Sequence, residues 1–109
     1  MYQTYHLSHT DAQKIIAAIQ HELERTGRAA AIAVADAHGE LLAFLRMDGC
    51  KLPPVTIAIS KACTAARKQK PTMALGQASR EEDFPMTNYG DLRYCAWRGG
   101  VSVIEAAAV

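Results

Sequence analysis

Four histidines are the candidate ligands for a metal ion or a prosthetic group. His6 and His9 are three residues apart and precede the first predicted helix. His21 lies on that helix, opposite its apolar stripe, and His38 occupies a predicted turn. An imidazole nitrogen can ligate a metal ion or serve as the axial ligand of a prosthetic group. Each histidine is therefore either a solvated surface side chain or a ligand whose site a neighbouring subunit completes.

A second set of charged residues could bind an anion. Arg46 and Asp48 end the second predicted strand, and Lys61 lies on a helix made mostly of small residues. One interpretation is a strand-end ion pair beside a solvated lysine. The other is an anion-binding corner formed by Arg46, Lys61 and the irregular segment 79–98, in which Lys61 acts as a base or forms a Schiff base. The sequence offers no evident partner base or nucleophile for Lys61.

Several common kinds of site have no motif in this chain. There is no phosphate loop, dinucleotide fingerprint, nucleophile elbow or zinc motif, so no metal site is predicted. The three cysteines, Cys50, Cys63 and Cys95, form no Cys-x-x-Cys pair. We interpret them as reduced thiols in a cytoplasmic protein, which agrees with an N-terminus that lacks the features of a secretory signal.

Length and charge limit the classes of partner. The 109 residues predict a single domain, 1–109, and the net charge of +1 gives no general attraction to nucleic acid or to a membrane. No apolar run approaches the roughly 18 residues that a membrane-spanning helix needs. We therefore expect neither nucleic acid nor membrane as a partner.

The first elements that position these residues are a helix and a hairpin. Ser8 and Asp11 have the spacing of a capping box, and Gly27 is a natural end for the helix. The predicted strands are 30–35 and 41–46, joined by an Asp-Ala-His-Gly turn. The apolar stripe of the helix recurs with helical spacing and consists of Ala12, Ile15, Ile16, Ile19 and Leu23.

The second half predicts another helix, an irregular segment and a last strand. Pro53 and Pro54 begin the helix and Pro71 ends it. Its predicted buried arc is Val55, Ala58, Ile59, Ala62, Ala65 and Ala66, whereas Ser60, Lys61, Thr64, Arg67 and Lys68 face elsewhere. Thr72 is expected to cap a short helix through residue 78, and 101–104 has strand character. Three strands would leave an open sheet edge, so either residues are missing or a partner completes the sheet.

These pieces together resemble the GlcG/HbpS family, which includes the C-terminal domain of PduO proteins. The resemblance lies in the run AVADAHGELLAFLRMDG, then IAISKACTAA, then Lys-Pro-Thr and a late Gly-Gly-Val, in that order. It implies an α/β domain of the α+β type, a profilin-like antiparallel sheet packed with helices. It also implies homo-oligomers and, in some members, haem or another tetrapyrrole near subunit interfaces. The positions most typical of the family are Asp36, Gly39, Arg46, Asp48, Gly49 and Lys61.

The resemblance weakens at the C-terminus. Ser102 stands where relatives usually have proline, and a glycine-rich strand does not follow. We therefore expect a truncated or altered C-terminus that lacks the last strand and helix of the family.

The resulting hypothesis is a non-catalytic protein of the GlcG/HbpS type that binds a small molecule and works as a homo-oligomer. If that molecule is haem, His6, His9 and His21 are the candidate cofactor-binding residues. Arg46, Asp48 and Lys61 are the candidate ligand-binding residues. Two alternatives stay open, namely an isomerase or lyase for a small carboxylate that uses Lys61 and Arg46, and a purely structural module for oligomerisation.

Overall fold

The computed structural model describes residues 1–102, which form a helix, an antiparallel hairpin and further helices. In chain order the elements are α1 (His9–Arg25), β1 (Ala31–Ala35), β2 (Leu41–Arg46), α2 (Pro53–Lys68), α3 (Thr72–Glu81) and a short 3₁₀ helix (Met86–Tyr89). This order confirms the predicted α+β class of helix, hairpin and helix. No helix within the described range is long and apolar enough to cross a bilayer.

Helix α1 follows its predicted pattern closely. The Ser8 hydroxyl oxygen accepts a hydrogen bond from the Asp11 backbone N–H at 3.0 Å, which satisfies one free donor of the first turn. Ala12 and Ile16 are buried against the hairpin, but Ile19 keeps 41% of its surface exposed. The helix begins at His9, so this histidine belongs to α1 rather than to the segment before it.

The hairpin is a two-stranded sheet. Ala31 pairs with Arg46 at one end and Ala35 with Leu41 at the other, with an irregularity between Val34 and Ala35. In the turn, the Asp36 carboxylate accepts hydrogen bonds from the backbone N–H groups of His38 (2.9 Å) and Glu40 (3.1 Å). This local bonding explains why Asp is the residue that starts the turn.

The hairpin also joins the two long helices. Helix α1 packs against both strands, and α2 packs mainly against β1. Half of the buried apolar side chains are small, and the full set is Ala12, Ile16, Ile32, Cys63, Ala65 and Leu75.

Helix α2 is also covered on a side that lies outside its predicted buried arc. Thr64 has no exposed surface, whereas the predicted arc residues Val55 and Ala58 are only half-buried. The prediction for Thr64 is wrong because residues 91–102, which we call the covering segment, lie over that side of the helix. The Thr64 hydroxyl accepts a hydrogen bond from the Cys95 N–H at 2.8 Å and contacts the carbonyl oxygens of Ser60 (2.8 Å) and Arg93 (3.2 Å).

Helix α3 differs from the prediction at both ends. It continues to Glu81 rather than residue 78, and Thr72 does not cap it. Instead the buried Thr72 hydroxyl accepts a hydrogen bond from the Gly100 N–H at 2.9 Å, and the Thr72 N–H donates to the Gly100 carbonyl at 2.9 Å. Thr72 therefore holds the covering segment.

The two residues of the predicted last strand that the structure describes do not form a strand. Residues 101 and 102 have irregular structure, and 103–104 lie outside the described residues. The sheet within 1–102 consequently has two strands rather than three.

Candidate functional site

A trough lies between α1 and β2. It consists of two cavities of about 390 Å³ each, and Gln20 and Leu45 line both of them. The first cavity follows the N-terminal part of α1 and is walled mainly by His9, Ile16, Ala17, Leu42 and Phe44. This half offers mainly apolar side chains, together with the amides of Gln13 and Gln20 and one imidazole at its end.

The second cavity makes the other half of the trough charged. It follows the C-terminal end of α1 and the end of β2, where Glu24, Arg28, Arg46 and Asp48 line it. The trough therefore changes from apolar to charged along its length, and such a gradient suits a ligand with one apolar and one ionised end.

The histidines have different surroundings. His9 lines the trough, and its ring has no hydrogen-bond partner within residues 1–102. The His6 ring lies 5.9 Å from the His38 ring, centroid to centroid, and its Nε2 lies 2.7 Å from the Thr4 hydroxyl. His21 is exposed on α1 and does not line the trough, in agreement with its predicted place opposite the apolar stripe.

The predicted anion-binding residues are divided between two places. Arg46 and Asp48 line the trough together, and Lys61 does not. The Lys61 ammonium lies 5.3 Å from the centre of the Trp97 ring, on the covering segment. Lys61 thus contacts the predicted irregular segment without sharing a cavity with Arg46, and its role as a base or Schiff-base former stays a prediction.

No metal centre is evident within 1–102. No three His, Cys, Asp or Glu side chains of that range come close enough together to hold a metal ion.

The structure contains a charged cluster at the hairpin turn that the sequence did not predict. Its members are Glu40, Arg67, Asp91 and Arg93. The Arg67 guanidinium donates to the His38 carbonyl (2.6 Å), to Asp91 (3.1 Å) and to Glu40 (3.3 Å). Arg93 donates to Asp91 at 2.9 Å and to Glu40 at 3.0 Å. These bonds join the hairpin, α2 and the covering segment.

The cluster changes the acid–base behaviour of its members. Hydrogen bonds from the Arg93 side chain, and then from its backbone, hold the pKa of the Asp91 carboxyl well below its usual value. The same bond to Asp91, together with one to Glu40, raises the pKa of Arg93. The Asp-Leu-Arg spacing of 91–93 is the local signal that could have found this pair.

The turn glycine permits the cluster to form. Gly39 has a φ of +84°, and a Cβ added there would lie 2.6 Å from the Arg67 Nε. Only glycine allows both the left-handed backbone and the close approach of the guanidinium. A structural reason therefore exists for one of the positions that characterise the resemblance.

Comparison with known proteins found a matching family model, curated relatives and solved structures of the same fold. Residues 7–109 match the model of the family described as haem degrading protein HbpS-like. Protein GlcG of Escherichia coli strain K12 is 44% identical over 66 residues, which are 61% of this chain and 49% of that protein. The chain spans about half the length of the curated relatives it matches.

Solved structures share the fold over nearly the whole chain. A double mutant of HbpS from Streptomyces reticuli superimposes with a TM-score of 0.86 at 29% identity, over 99% of this chain and 72% of that one. Protein ORFY of Klebsiella pneumoniae gives a TM-score of 0.85 at 22% identity, over 100% of this chain and 77% of that one, a likeness of fold.

Proposed function

We propose, from the premise that this chain belongs to the HbpS-like family, that it binds haem or a similar tetrapyrrole in the trough between α1 and β2. It does so as a binding protein rather than as an enzyme, and as a homo-oligomer. The observation that carries the proposal is the His9 imidazole, which lies at the apolar half of the trough without a protein partner.

The residues present fit the chemistry of a porphyrin. A macrocycle needs apolar walls, and Ile16, Phe44 and Leu45 supply them. Its iron needs one axial donor, and neutral imidazole is a common one. His9 would hold the iron, while these apolar side chains would contact the ring. When bound, haem supplies an iron that accepts a further ligand or an electron.

The other candidate histidines are less well placed. His6 is engaged with Thr4 and stacks on His38. His21 lies outside the trough on the same helix as His9 and is also exposed. His21→Ala is therefore a matched control for His9→Ala.

The test is a titration of the purified full chain with haemin, followed by the Soret band. We expect a shifted Soret band for the wild type and for His21→Ala, and a weakened or altered band for His9→Ala. A wild type that leaves the haemin spectrum unchanged would refute haem binding. Equal spectra for the wild type and His9→Ala would remove His9 as the ligand.

The same sample tests the non-catalytic part of the proposal. After ascorbate is added in air, we expect the Soret band of the bound haem to decay no faster than that of free haemin. Accelerated bleaching with the appearance of a ring-opened product would make the protein an enzyme that degrades haem.

A further inference from the structure

We infer that the N-terminal arm, defined as residues 1–5, pairs as an added strand with the outer edge of β1 in a second copy of this chain. The exchange is reciprocal, so that each of two chains covers the β1 edge of the other. This inference names a surface of the proposed homo-oligomer and rests on that part of the proposed function. It does not depend on haem.

The register of the hairpin shows which backbone groups of β1 face away from β2. The Met47 N–H donates to the Ala30 carbonyl at 3.0 Å, so these two residues form a hydrogen-bonded pair of the antiparallel ladder. Such pairs alternate along a strand, which directs the N–H and C=O groups of Ala31, Ala33 and Ala35 outward. In the described part of the chain these half-buried groups have no hydrogen-bond partner. They are therefore available to a further strand.

The edge of β1 lacks the features that prevent pairing between strand edges. Charges, prolines and bulges commonly protect such edges. The strand Ala31–Ala35 includes no charged residue and no proline. The outer edge of β2 is better protected, because Leu42 is the unmatched residue at the irregularity and Arg46 ends the strand. We therefore expect an added strand at β1.

Helix α2 leaves room beside β1 for a single strand. The helix packs mainly against β1 and much less against β2. A helix about 10 Å wide that is centred over a strand extends about 5 Å past it, close to the strand spacing of about 4.8 Å. Antiparallel pairing of β1 with β1 of a second copy would bring the two α2 helices to about this separation, whereas packed helix axes need about 8–10 Å. The added strand therefore comes from a segment that no helix covers.

The N-terminal arm has the matching properties. Its backbone groups make no hydrogen bond within 1–102, and Tyr2 and Tyr5 are 90% and 87% exposed, so the arm does not lie on its own β1. Tyrosine and threonine favour strands, and the arm has no Asp, Glu, Lys or Arg. At about 3.3 Å per residue, five residues span about 17 Å, which is the length of the five-residue strand β1.

The base of the arm is held beside the hairpin turn. The His6 ring lies 5.9 Å from the His38 ring of the same chain, centroid to centroid. Residues 1–5 extend from this point without packing on their own chain. They are therefore free to reach a second copy while His6 stays in place.

Amide hydrogen exchange read by NMR tests the pairing residue by residue. An open edge leaves the N–H groups of Ala31 and Ala33 unprotected, while Ile32 and Val34 are protected by their bonds to β2. We expect all four to be protected in the full chain. In a chain without residues 1–5, Ala31 and Ala33 should exchange at least about tenfold faster, the scale of one lost hydrogen bond.

A mixture of two variants tests whether the arm comes from a second copy. The acceptor is an isotope-labelled chain without residues 1–5, and the donor is an unlabelled Ala33→Pro chain, which keeps its arm. Because the Ala33 N–H faces away from β2, proline at this position leaves the β1–β2 ladder intact. We expect the donor to slow exchange at Ala31 and Ala33 of the labelled acceptor about tenfold, back to the rates of the full chain.

Native mass spectrometry adds the assembly state of each variant. Removal of residues 1–5 and Ala33→Pro should each give smaller species than the wild type. Ala33→Ser keeps the outward N–H and is the matched control, so its mass should equal that of the wild type. Circular dichroism checks that every variant folds.

The possible outcomes separate this inference from the proposed function. Alternating exchange in the full chain, or an unchanged mass without residues 1–5, would overturn the inference while the homo-oligomer stands. It would also be overturned if the donor fails to protect the acceptor, or if removal of residues 103–109 rather than of 1–5 exposes the edge. A single-chain mass for the full chain would overturn the homo-oligomer and the inference together, whereas haem binding is decided by the Soret band.

Discussion

Asp91 is one of the two carboxylates in the charged cluster at the hairpin turn. Its carboxylate accepts hydrogen bonds from both Arg67 and Arg93, which link α2 to the covering segment. The Arg93 backbone N–H adds a further bond at 2.9 Å. These bonds favour the ionised form, so protonation of Asp91 weakens the cluster.

This arrangement predicts an acid-dependent contribution to stability. A carboxyl whose pKa is lowered in the folded state stabilises that state above its unfolded pKa of about 3.9, and the contribution is lost as the pH falls below that value. Asp91→Asn should therefore unfold at lower urea concentration than the wild type at pH 7, and the two midpoints should converge toward pH 2. Urea titrations monitored by circular dichroism across this range provide the measurement.

Glu82→Gln serves as the control for Asp91→Asn. Glu82 is exposed and pairs with no cation within 1–102. Its substitution should leave the urea midpoint close to that of the wild type throughout. A constant difference between Asp91→Asn and the wild type from pH 7 to pH 2 would contradict the role given to the ionised carboxylate.

At the scale of elements, the Arg67 side chain of α2 packs closely against Gly39 in the hairpin turn. Gly39→Ala should destabilise the protein by about 2–4 kcal/mol, because it adds left-handed strain and displaces Arg67 from the His38 carbonyl. Gly27→Ala should cost only about 1 kcal/mol, since Gly27 has a similar φ of +71° but no heavy atom within 4 Å of an added Cβ. Equal losses of unfolding free energy for the two variants would disprove the proposed steric role of Gly39.

The covering segment depends on hydroxyl groups rather than on apolar burial. Thr64→Val keeps the shape of the side chain but leaves the Cys95 N–H without its acceptor, which should cost about 1–3 kcal/mol. Thr64→Ser keeps the acceptor and should cost about 1 kcal/mol for the lost methyl group. Amide hydrogen exchange should show Cys95 protected in the wild type and in Thr64→Ser, and unprotected in Thr64→Val. Protection that persists in Thr64→Val would mean that the Thr64 hydroxyl is not the group that protects the Cys95 N–H.

Local elements could be predicted from the sequence, whereas the charged cluster could not. Periodicity and capping identified α1, because Ala12 and Ile16 recur within one turn of each other. Arg67 and Glu40 are 27 residues apart, and Arg93 and Glu40 are 53 apart, so no local pattern connects them. Thr64 was assigned to the wrong face for the same reason, since the segment that buries it lacks the regular spacing of a helix or strand.

The candidate site, too, could be predicted from the sequence only in part. The sequence singled out His9, Arg46 and Asp48 by residue type, and all three line the trough. It could not reveal that Arg28 joins them or that Lys61 lies elsewhere, because both facts depend on how α1 and α2 pack against the hairpin.

At the scale of the whole molecule, the described part of the chain leaves much apolar surface uncovered. Leu92 is 94% exposed and Trp97 63% exposed, both on the covering segment. The sheet of two strands also has unpaired edges within 1–102, and such edges favour association with further strands. These features support the proposed homo-oligomer.

Native mass spectrometry of the full chain measures the number of chains in the oligomer directly. We expect a mass of several chains at micromolar concentration, with or without haemin, and a shift toward smaller species for Leu92→Asp, because burying a charged side chain in an interface is costly. A single-chain mass for the wild type under both conditions would contradict association.

The covering segment also contains an optical probe. Trp97 is the only tryptophan of the chain, and the Lys61 ammonium lies over its ring. Fluorescence excited at the indole band therefore reports from one known place on the surface, without any label. A porphyrin absorbs where indole emits, so energy transfer from Trp97 would give the distance between the covering segment and any bound porphyrin.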